Sequence, residues 1–559
     1  MENYEISDQF SLLAKLMDVH GENAFKSKSY SIAAFNIEKI EIPIRNIPRE
    51  KLFSLKGIGE STGKKIIEIL DTGELSALKT MIQKTPPGIL EMMNIKGIGP
   101  KKINVIWKQL EIESLGELLY ACNENRLLLY KGFGEKTQTN ISHAIEFYMN
   151  NQGSYLFAQI EKYALQMDAA LNKEFKSFKI QQTGLIRRQM ETIDLIEWCT
   201  TAPHSFVKEF FSSNNFELIQ ESEDHQLFKG VENVEIKIHL TAEDHFHQQV
   251  FASSCSQSFL EAWIKEFPLS NKIIESEETI FQQAGIEYIP AYLREDPVVI
   301  HLAKNKKLPI PLSLPEVCGL IHSHSNWSDG VHTIEEMAEE LIKKNFEYLV
   351  ISDHSKSAFY AKGLSHERII AQHQYIDELN ARYTPFRIFK SIECDILNDG
   401  TLDYTDDILT SFDLVIASVH SNLKMTEEKA MTRLIKAIEN PYVIILGHMT
   451  GRLLLSRNGY PVDHKKIIDA CAANYVAIEL NAHPRRLDMD WRWIRYALEK
   501  EVMISLDPDA HDLEGFDDIR YGVLSAQKAG LTKENNLSSF SLARFEFYLT
   551  ETHKRKGIN

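Results

Sequence analysis

Between residues 319 and 509 seven short apolar runs recur, and each closes on a polar side chain. They are Gly319 to His322, Tyr348 to His354, Phe389 to Glu393, Leu414 to His420, Tyr442 to His448, Val476 to Asn481 and Val502 to Asp509. From His322 the steps between endings are 32, 39, 27, 28, 33 and 28 residues, the length of successive βα units. Helical periodicity fills the gaps, as in Ile334 to Ile342, so the region reads as a parallel α/β fold. In such a fold the C-terminal ends of the strands converge on one mouth, where barrel enzymes place their chemistry. The seven endings therefore predict a single site.

The chemistry of that site follows from its residue types. His322 and His324 alternate to one face at a strand end, Asp329 follows in the next loop, and His354, Glu393, His420, His448, Asp509 and His511 complete a set of nine candidate ligands. Imidazole mixed with carboxylate suits Zn²⁺, Mn²⁺ or iron, and nine ligands exceed what one ion needs, so two or three divalent ions are expected. His332, His366, His373 and His464 fall in helical or loop contexts and read as ordinary histidines, whereas His483 is open.

The motifs His322-Ser323-His324 with Ser328-Asp329-Gly330, Ser352-Asp353-His354-Ser355, Glu393-Cys394-Asp395-Ile396, Ser418-Val419-His420-Ser421, Gly447-His448-Met449-Thr450-Gly451-Arg452 and Asp509-Ala510-His511 resemble the polymerase-and-histidinol-phosphatase (PHP) family. The resemblance implies a distorted (β/α)7 barrel and a trinuclear metal site that hydrolyses phosphoesters. All nine ligand positions match. Leu320, Met449 and Asp507-Pro508 depart from the family pattern without removing a ligand. His322, His324, Glu393 and Asp509 are the expected catalytic ligands. Arg452 joins them as an expected catalytic residue that contacts a phosphate, the alternative being a helix-start salt bridge.

Upstream, Thr183-Gly184-Leu185-Ile186-Arg187-Arg188, then Gly285-Ile286-Glu287-Tyr288-Ile289-Pro290 with Leu293-Arg294-Glu295, resemble the α+β nucleotidyltransferase palm and thumb of bacterial family X DNA polymerases. Asn23-Ala24-Phe25-Lys26 with Ala33-Ala34 is similar to the start of that family, so the resemblance covers nearly the whole chain. The family transfers nucleotides with two metal ions on three aspartates. Here its Gly-Ser is Gly184-Leu185, its Asp-x-Asp falls on Leu195-Ile196-Glu197 or, shifted, uses Asp194, and its third aspartate falls on Lys237, two residues after Glu235. A leucine offers no oxygen and a lysine repels a cation, so this palm is expected neither to hold Mg²⁺ nor to polymerise. Arg187 and Arg188 are either a retained phosphate contact or a solvated surface pair.

The N-terminal 150 residues carry a repeat: Leu55-Lys56-Gly57-Ile58-Gly59, Ile95-Lys96-Gly97-Ile98-Gly99 and Tyr130-Lys131-Gly132-Phe133-Gly134, each followed by helical spacing. A single Gly-x-Gly is usually a helix cap, but three copies resemble helix-hairpin-helix motifs, which hold nucleic-acid backbones without reading sequence. Gly57, Gly59, Gly97, Gly99, Gly132 and Gly134, with Lys64 and Lys101, are the expected DNA contacts, through amides at helix starts.

A net charge of −17 argues against a nucleic-acid partner only if it is spread evenly. Residues 1–150 hold 19 Lys+Arg and 19 Asp+Glu, so the excess acid lies downstream. Six scattered cysteines make no Cys-x-x-Cys pair, and no apolar run is long enough to span a bilayer, which predicts a cytoplasmic protein without a membrane partner. The expected organisation is thus 1–150 hairpin region, 151–312 palm and thumb, and 313–559 metal barrel. The expected function is metal-dependent cleavage of gapped, nicked or 3′-ended DNA by a monomeric repair protein. 3′-to-5′ exonuclease, abasic-site cleavage and 3′-end cleaning all fit this reading. The alternatives are an active gap-filling polymerase, a small-molecule phosphatase of the histidinol-phosphate type, and a non-catalytic DNA-end scaffold.

Overall fold

The computed structural model describes residues 3–40, 42–55, 57–95, 97–149, 153–230, 234–268 and 273–558. The chain divides into two compact units, Met1–Tyr148 and Met149–Asn559. Among the described residues no helix is long and apolar enough to cross a membrane.

The first unit is helical. Helix Asn3–His20 buries Ile6, Phe10, Leu13 and Met17, spaced three or four apart, against Tyr30, Ala34 and Ile37 of helix Ala24–Glu38. All three predicted hairpins form with one geometry. The first glycine turns the chain in the left-handed region (Gly57 φ 77°, Gly97 φ 94°, Gly132 φ 100°). The middle residue, Ile58, Ile98 or Phe133, is buried, and the second glycine precedes helix Glu60–Thr72, Pro100–Lys108 or Glu135–Met149. Lys56 and Lys96 of the motif lie outside the described residues.

The second unit carries two principal sheets. Short strands β1 (Tyr155–Leu156) and β3 (Thr192–Ile193) pair with each other. Strands β2 (Ile180–Thr183), β4 (Leu195–Thr200), β5 (Glu217–Glu221), β6 (His225–Lys229) and β7 (Glu235–Leu240) form a sheet in the order β2-β4-β7-β6-β5. Only β4 and β7 run parallel. Ile196, Trp198, Ile236 and Ile238 alternate into the core, so Leu195, Glu197, Glu235 and Lys237 share the opposite face.

The seven predicted apolar runs are seven strands: β8 (Gly319–Ser323), β9 (Tyr348–Ile351), β10 (Arg387–Asp395), β11 (Leu414–Ser418), β12 (Val443–Leu446), β13 (Ala477–Asn481) and β14 (Ile504–Asp507). They pair in chain order and all in parallel. A parallel bridge from Ser323 to Ala510, with the His324 amide donating to the Ala510 carbonyl at 2.8 Å, joins the first strand to the end of the last. The result is a (β/α)7 barrel. Its strands are covered on both sides, which is why they read as unbroken apolar runs. The C-terminal helix Leu542–Lys556 packs on the barrel interior: Phe545 stacks on Tyr348 at 4.7 Å, and the Tyr348 hydroxyl donates to the Leu537 carbonyl. Polar strand ends are gathered at the other mouth.

Candidate metal centre

The nine expected ligands form one buried network at that mouth. Glu393, at the end of β10, lies at its centre: His420 Nε2 is 3.1 Å and His448 Nε2 2.9 Å from its Oε1, and His354 Nδ1 is 3.0 Å from its Oε2. His322 Nε2 lies 3.3 Å from Glu393 and 3.4 Å from Asp509, and His324 Nε2 lies 3.0 Å from Asp509. Asp329 faces His354 at 3.5 Å and His511 at 3.6 Å. Ligand atoms close enough to share an ion fall into three groups: His324, Asp329, His354 and His511; His322, His324 and Asp509; and His354, Glu393 and His420.

Backbone geometry delivers these side chains at a cost. The register of β8 against β9 shifts between Leu320 and Ser323, and His322 takes φ 56° there, so the His322/His324 pair is presented by a bulge rather than by simple strand alternation. Asp509 takes φ 53°. Left-handed backbone at a non-glycine residue costs on the order of 1–3 kcal/mol and persists where the surroundings over-determine it, as at ligand clamps. Gly330 is required by packing, since a Cβ there would meet the His324 carbonyl oxygen at 2.2 Å.

Electrostatics match the donor set to cations. Burial alone would lower the pKa of His322, but Glu479, Asp509 and Glu393 hold it well above its usual value. Burial opposed by Glu393 and Asp395 leaves His420 at about 9. Conversely, burial would raise the Glu393, Asp329 and Asp509 carboxyls, yet the surrounding imidazoles hold all three well below the carboxylate range. Protonated imidazoles here balance carboxylates that divalent ions would balance instead. His322 Nε2, His324 Nδ1, Asp329 Oδ2 and Glu393 Oε2 are buried without a well-formed hydrogen bond, as expected of atoms shaped to receive ions. The residues fit a metal site.

Sequence reasoning missed the layer behind the ligands. His322 Nδ1 bonds Glu479 Oε2 and His420 Nδ1 bonds Asp395 Oδ1, both at 2.5 Å. Carboxylates behind imidazoles fix tautomer and ring orientation. Glu479 closes a fourth cation-capable group with His322 and Asp507. Asp353, adjacent to His354, takes hydrogen bonds from the Ser325 amide, the Ser325 and Ser328 hydroxyls and Gln372, which shapes the loop that carries Asp329. Asp353 and Asp395 lie within the strand-end motifs beside His354 and Glu393, and that placement was the available signal, whereas Glu479 belongs to a run that supplies no ligand.

Arg452 requires a correction. Its Nη1 pairs with Asp490 at 2.5 Å, its Nε donates to the Arg486 carbonyl at 3.0 Å, and its Nη2 donates to the Leu487 carbonyl. The guanidinium is thus engaged in holding the 486–490 segment; of the two expected roles, the structure contains the salt bridge. Two of the histidines read as ordinary pack on aromatic rings outside the site: His373 lies edge-on to Phe412 and His464 stacks on Trp493. His483 accepts the Arg485 amide on Nδ1, and burial with Arg485 and Arg486 lowers its pKa to about 3.

The comparisons with known proteins agree with this geometry. Residues 1–75 match a helix-hairpin-helix domain model and residues 89–144 a SAM-like helix-hairpin-helix tandem, which together contain the three hairpins. The DNA polymerase/3′-5′ exonuclease PolX of Bacillus subtilis is 30% identical over 98% of this chain and 99% of its own. The chain belongs to the PolX family. Probable phosphatases of Thermoanaerobacter and of Caldanaerobacter subterraneus, 27% and 28% identical, align over 42% of this chain and over 96% and 92% of theirs.

Within this PolX chain the palm face differs sharply from the barrel mouth. Glu197 on β4 lies in register with Lys237 on β7, and its Oε2 is hydrogen-bonded to His239 Nε2 at 2.8 Å. Gly184 lies so close that a Cβ would meet Glu197 Oε1 at 2.1 Å. Asp194 is exposed, one residue before β4. Among the described residues every cation-capable cluster belongs to the barrel. Arg187 and Arg188 are not a solvated pair: Arg187 bonds Ser254 at 2.8 Å and Glu277 at 2.5 Å, and Arg188 pairs with Glu295 at 3.1 Å. Lys528, from the barrel side, donates to the Arg188 carbonyl at 2.6 Å and to Glu295 at 3.3 Å.

Proposed function

We propose that this PolX protein hydrolyses phosphodiester bonds at DNA 3′ ends in its barrel and that its palm no longer polymerises. The reading divides the chain into a DNA-holding region 1–150, a palm and thumb 151–312 that align the substrate, and a cleaving barrel 313–559. The observation that carries it is the convergence of six imidazoles and three carboxylates on one mouth, beside a palm face where one glutamate is tied to a histidine and opposed by a lysine.

His322, His324, Asp329, His354, Glu393, His420, His448, Asp509 and His511 would hold two or three ions, and Mn²⁺ or Zn²⁺ suits that donor set. Such ions supply Lewis acidity to the phosphoryl oxygens and lower the pKa of water. The chain's own residues do the rest. Glu479 and Asp395 orient His322 and His420, and the Asp353 hub fixes the loop bearing Asp329.

The hairpins support a DNA partner for a specific reason. A Cβ at Gly59, Gly99 or Gly134 would meet no atom within 4 Å, and none of the three is in the left-handed region. Neither packing nor backbone demands glycine there, which fits close approach of a phosphate to the helix start. Lys64, ion-paired with Glu60, and exposed Lys101 add charge beside the first two turns. Contact through backbone phosphates, a monomeric state and a cytoplasmic address complete the proposal.

The test uses 5′-labelled single-stranded, 3′-recessed and abasic-site DNA with Mn²⁺ or EDTA. The proposal expects shortened products with Mn²⁺, none with EDTA and none from His322→Ala or Asp509→Ala. A second reading, a small-molecule phosphatase, draws on the phosphatase relatives; turnover of histidinol phosphate with intact DNA would favour it.

A further inference from the structure

The segment between β9 and helix His366–Tyr383 closes into a loop around the candidate ligand His354. The Leu364 amide donates to the His354 carbonyl at 2.9 Å, Ser355 and Leu364 form a parallel bridge, and a Cβ at Gly363 would collide with the Ser355 carbonyl oxygen. Lys356 follows His354 by two residues and Lys362 precedes Leu364 by two, and two residues span at most about 7 Å. Both lysines are exposed. Arg368 braces the loop from the helix: its Nη1 donates to the Lys362 carbonyl at 2.5 Å and its Nη2 to the Trp327 carbonyl, in the segment that bears Asp329. The two lysines are therefore held beside the metal centre.

Charge identifies what fits. Among the described residues Lys356, Lys362 and Arg368 form no ion pair: Lys356 Nζ lies 5.5 Å from the Tyr404 ring, and the Arg368 guanidinium is directed to carbonyls. Lysines elsewhere on the barrel surface are paired, as Lys390 is with Asp377, Lys436 with Asp399 and Lys500 with Asp469. The loop from Lys356 to Gly363 contains no acidic residue, and the acids that flank it are engaged: Asp395 with His420 and Ser357, Asp403 with the Ser357 amide, and Glu367 with the Ser365 hydroxyl. Lys362 also takes φ 55°, a conformation that favours glycine or asparagine, so a charged side chain stands where the backbone alone would select against it. Lysines without acidic partners beside a phosphodiester-cleaving centre match the backbone phosphates of a nucleic-acid strand. A strand that enters by its 3′ end continues on one side only, with its remaining phosphates 5′ of the scissile bond. We infer that Lys356 and Lys362 contact those phosphates and guide the cleaved strand to the metal centre. The inference rests on the proposed 3′-end hydrolysis and names how that site holds its substrate.

The test measures kcat/KM for release of the 3′-terminal nucleotide from a single-stranded oligonucleotide by the full-length protein with Mn²⁺, at about 50 and about 200 mM salt. The neutral variant is Lys356→Gln with Lys362→Asn, asparagine being suited to the left-handed backbone at 362. On a single strand each phosphate contact adds about 0.7 to the slope of log affinity against log salt. Two contacts therefore make the advantage of the wild-type protein over the neutral variant about sevenfold larger at the lower salt than at the higher. Lys356→Arg with Lys362→Arg retains the wild-type salt dependence. An advantage equal at both salts, the mark of a merely structural defect, would overturn the lysine contacts while leaving 3′-end hydrolysis intact. So would no loss in the neutral variant, or an equal loss in the arginine variant. Absence of release by the wild-type protein would overturn the proposed function and the lysine contacts with it.

Discussion

The barrel mouth and the palm face both present polar side chains at the ends or on the face of a sheet, yet among the described residues only the barrel mouth gathers groups able to hold cations. In the barrel, Glu393 is met by His354, His420 and His448 from three other strand ends, and two further carboxylates stand behind the imidazoles. In the palm, Glu197 is hydrogen-bonded to His239, and Lys237 takes the place beside it. The arginines that the family resemblance would bring to a nucleotide are absorbed into ion pairs with Glu277 and Glu295, and buried Arg294 also pairs with Glu277. The charges on this face are neutralised by neighbours, because buried charge is tolerated only when paired. The 151–312 region is joined to the barrel through Lys528, which donates to the Arg188 carbonyl, and through Glu191, which bonds Arg492 and Trp491.

The largest effect that distinguishes the two faces is on cleavage. Asp509→Ala is expected to lower nuclease turnover by at least about 10²-fold, the scale on which loss of one transition-state contact is felt. Glu197→Ala should leave turnover within about twofold, since surface-side changes away from a site act weakly. Release of labelled mononucleotide with Mn²⁺ measures both. A comparable loss in Glu197→Ala would break the contrast.

Next in size is the layer behind the ligands. Asp395→Asn should weaken metal binding by about 10–100-fold, as loss of a carboxylate behind a ligating histidine does. Isothermal titration of the metal-free protein with Mn²⁺ would show this, and unchanged affinity would mean that Asp395 serves only the loop carrying Ser357.

The palm–barrel junction has its own signature in pH. Burial, only partly offset by Glu295 and Glu191, lowers Lys528 from 10.5 to about 8. A lysine whose folded pKa lies below its unfolded value penalises folding in its charged form. The penalty is full below pH 8 and is relieved between about pH 8 and 10.5, so this group makes stability rise with pH across that window. Lys528→Met should remove that rise, a difference of at most a few kcal/mol, read from denaturant unfolding at pH 7.5 and 9.5. An identical pH dependence in both proteins would contradict the assignment.

The smallest expected effect is in the hairpins. Lys101→Ala should reduce the slope of log affinity against log salt by about one unit and weaken all DNA sequences alike. An unchanged slope would remove Lys101 from the DNA contact.

Much of this was legible in the residue order. Parallel strands buried on both faces write themselves as short apolar runs, so β8 to β14 and their polar endings could be read from spacing alone. The first glycines of the pairs around Ile58, Ile98 and Phe133 were equally readable, because left-handed turns leave few substitutes for glycine. What could not be read depends on contacts between distant positions. Glu479 reaches His322 across 157 residues, and Arg452 is diverted to Asp490 by a loop whose path no local pattern encodes. The fate of Arg187 and Arg188 likewise depended on Glu277 and Glu295, which no motif marked as their partners.

The central claim, a cleaving barrel joined to a palm that does not polymerise, is tested most directly on one labelled gapped primer–template incubated with Mn²⁺ and all four deoxynucleoside triphosphates. The account predicts a ladder of shortened primers that disappears in Asp509→Ala, with no extended product in either protein. Primer extension that survives Asp509→Ala and is abolished by changing Asp194 or Glu197 would contradict it.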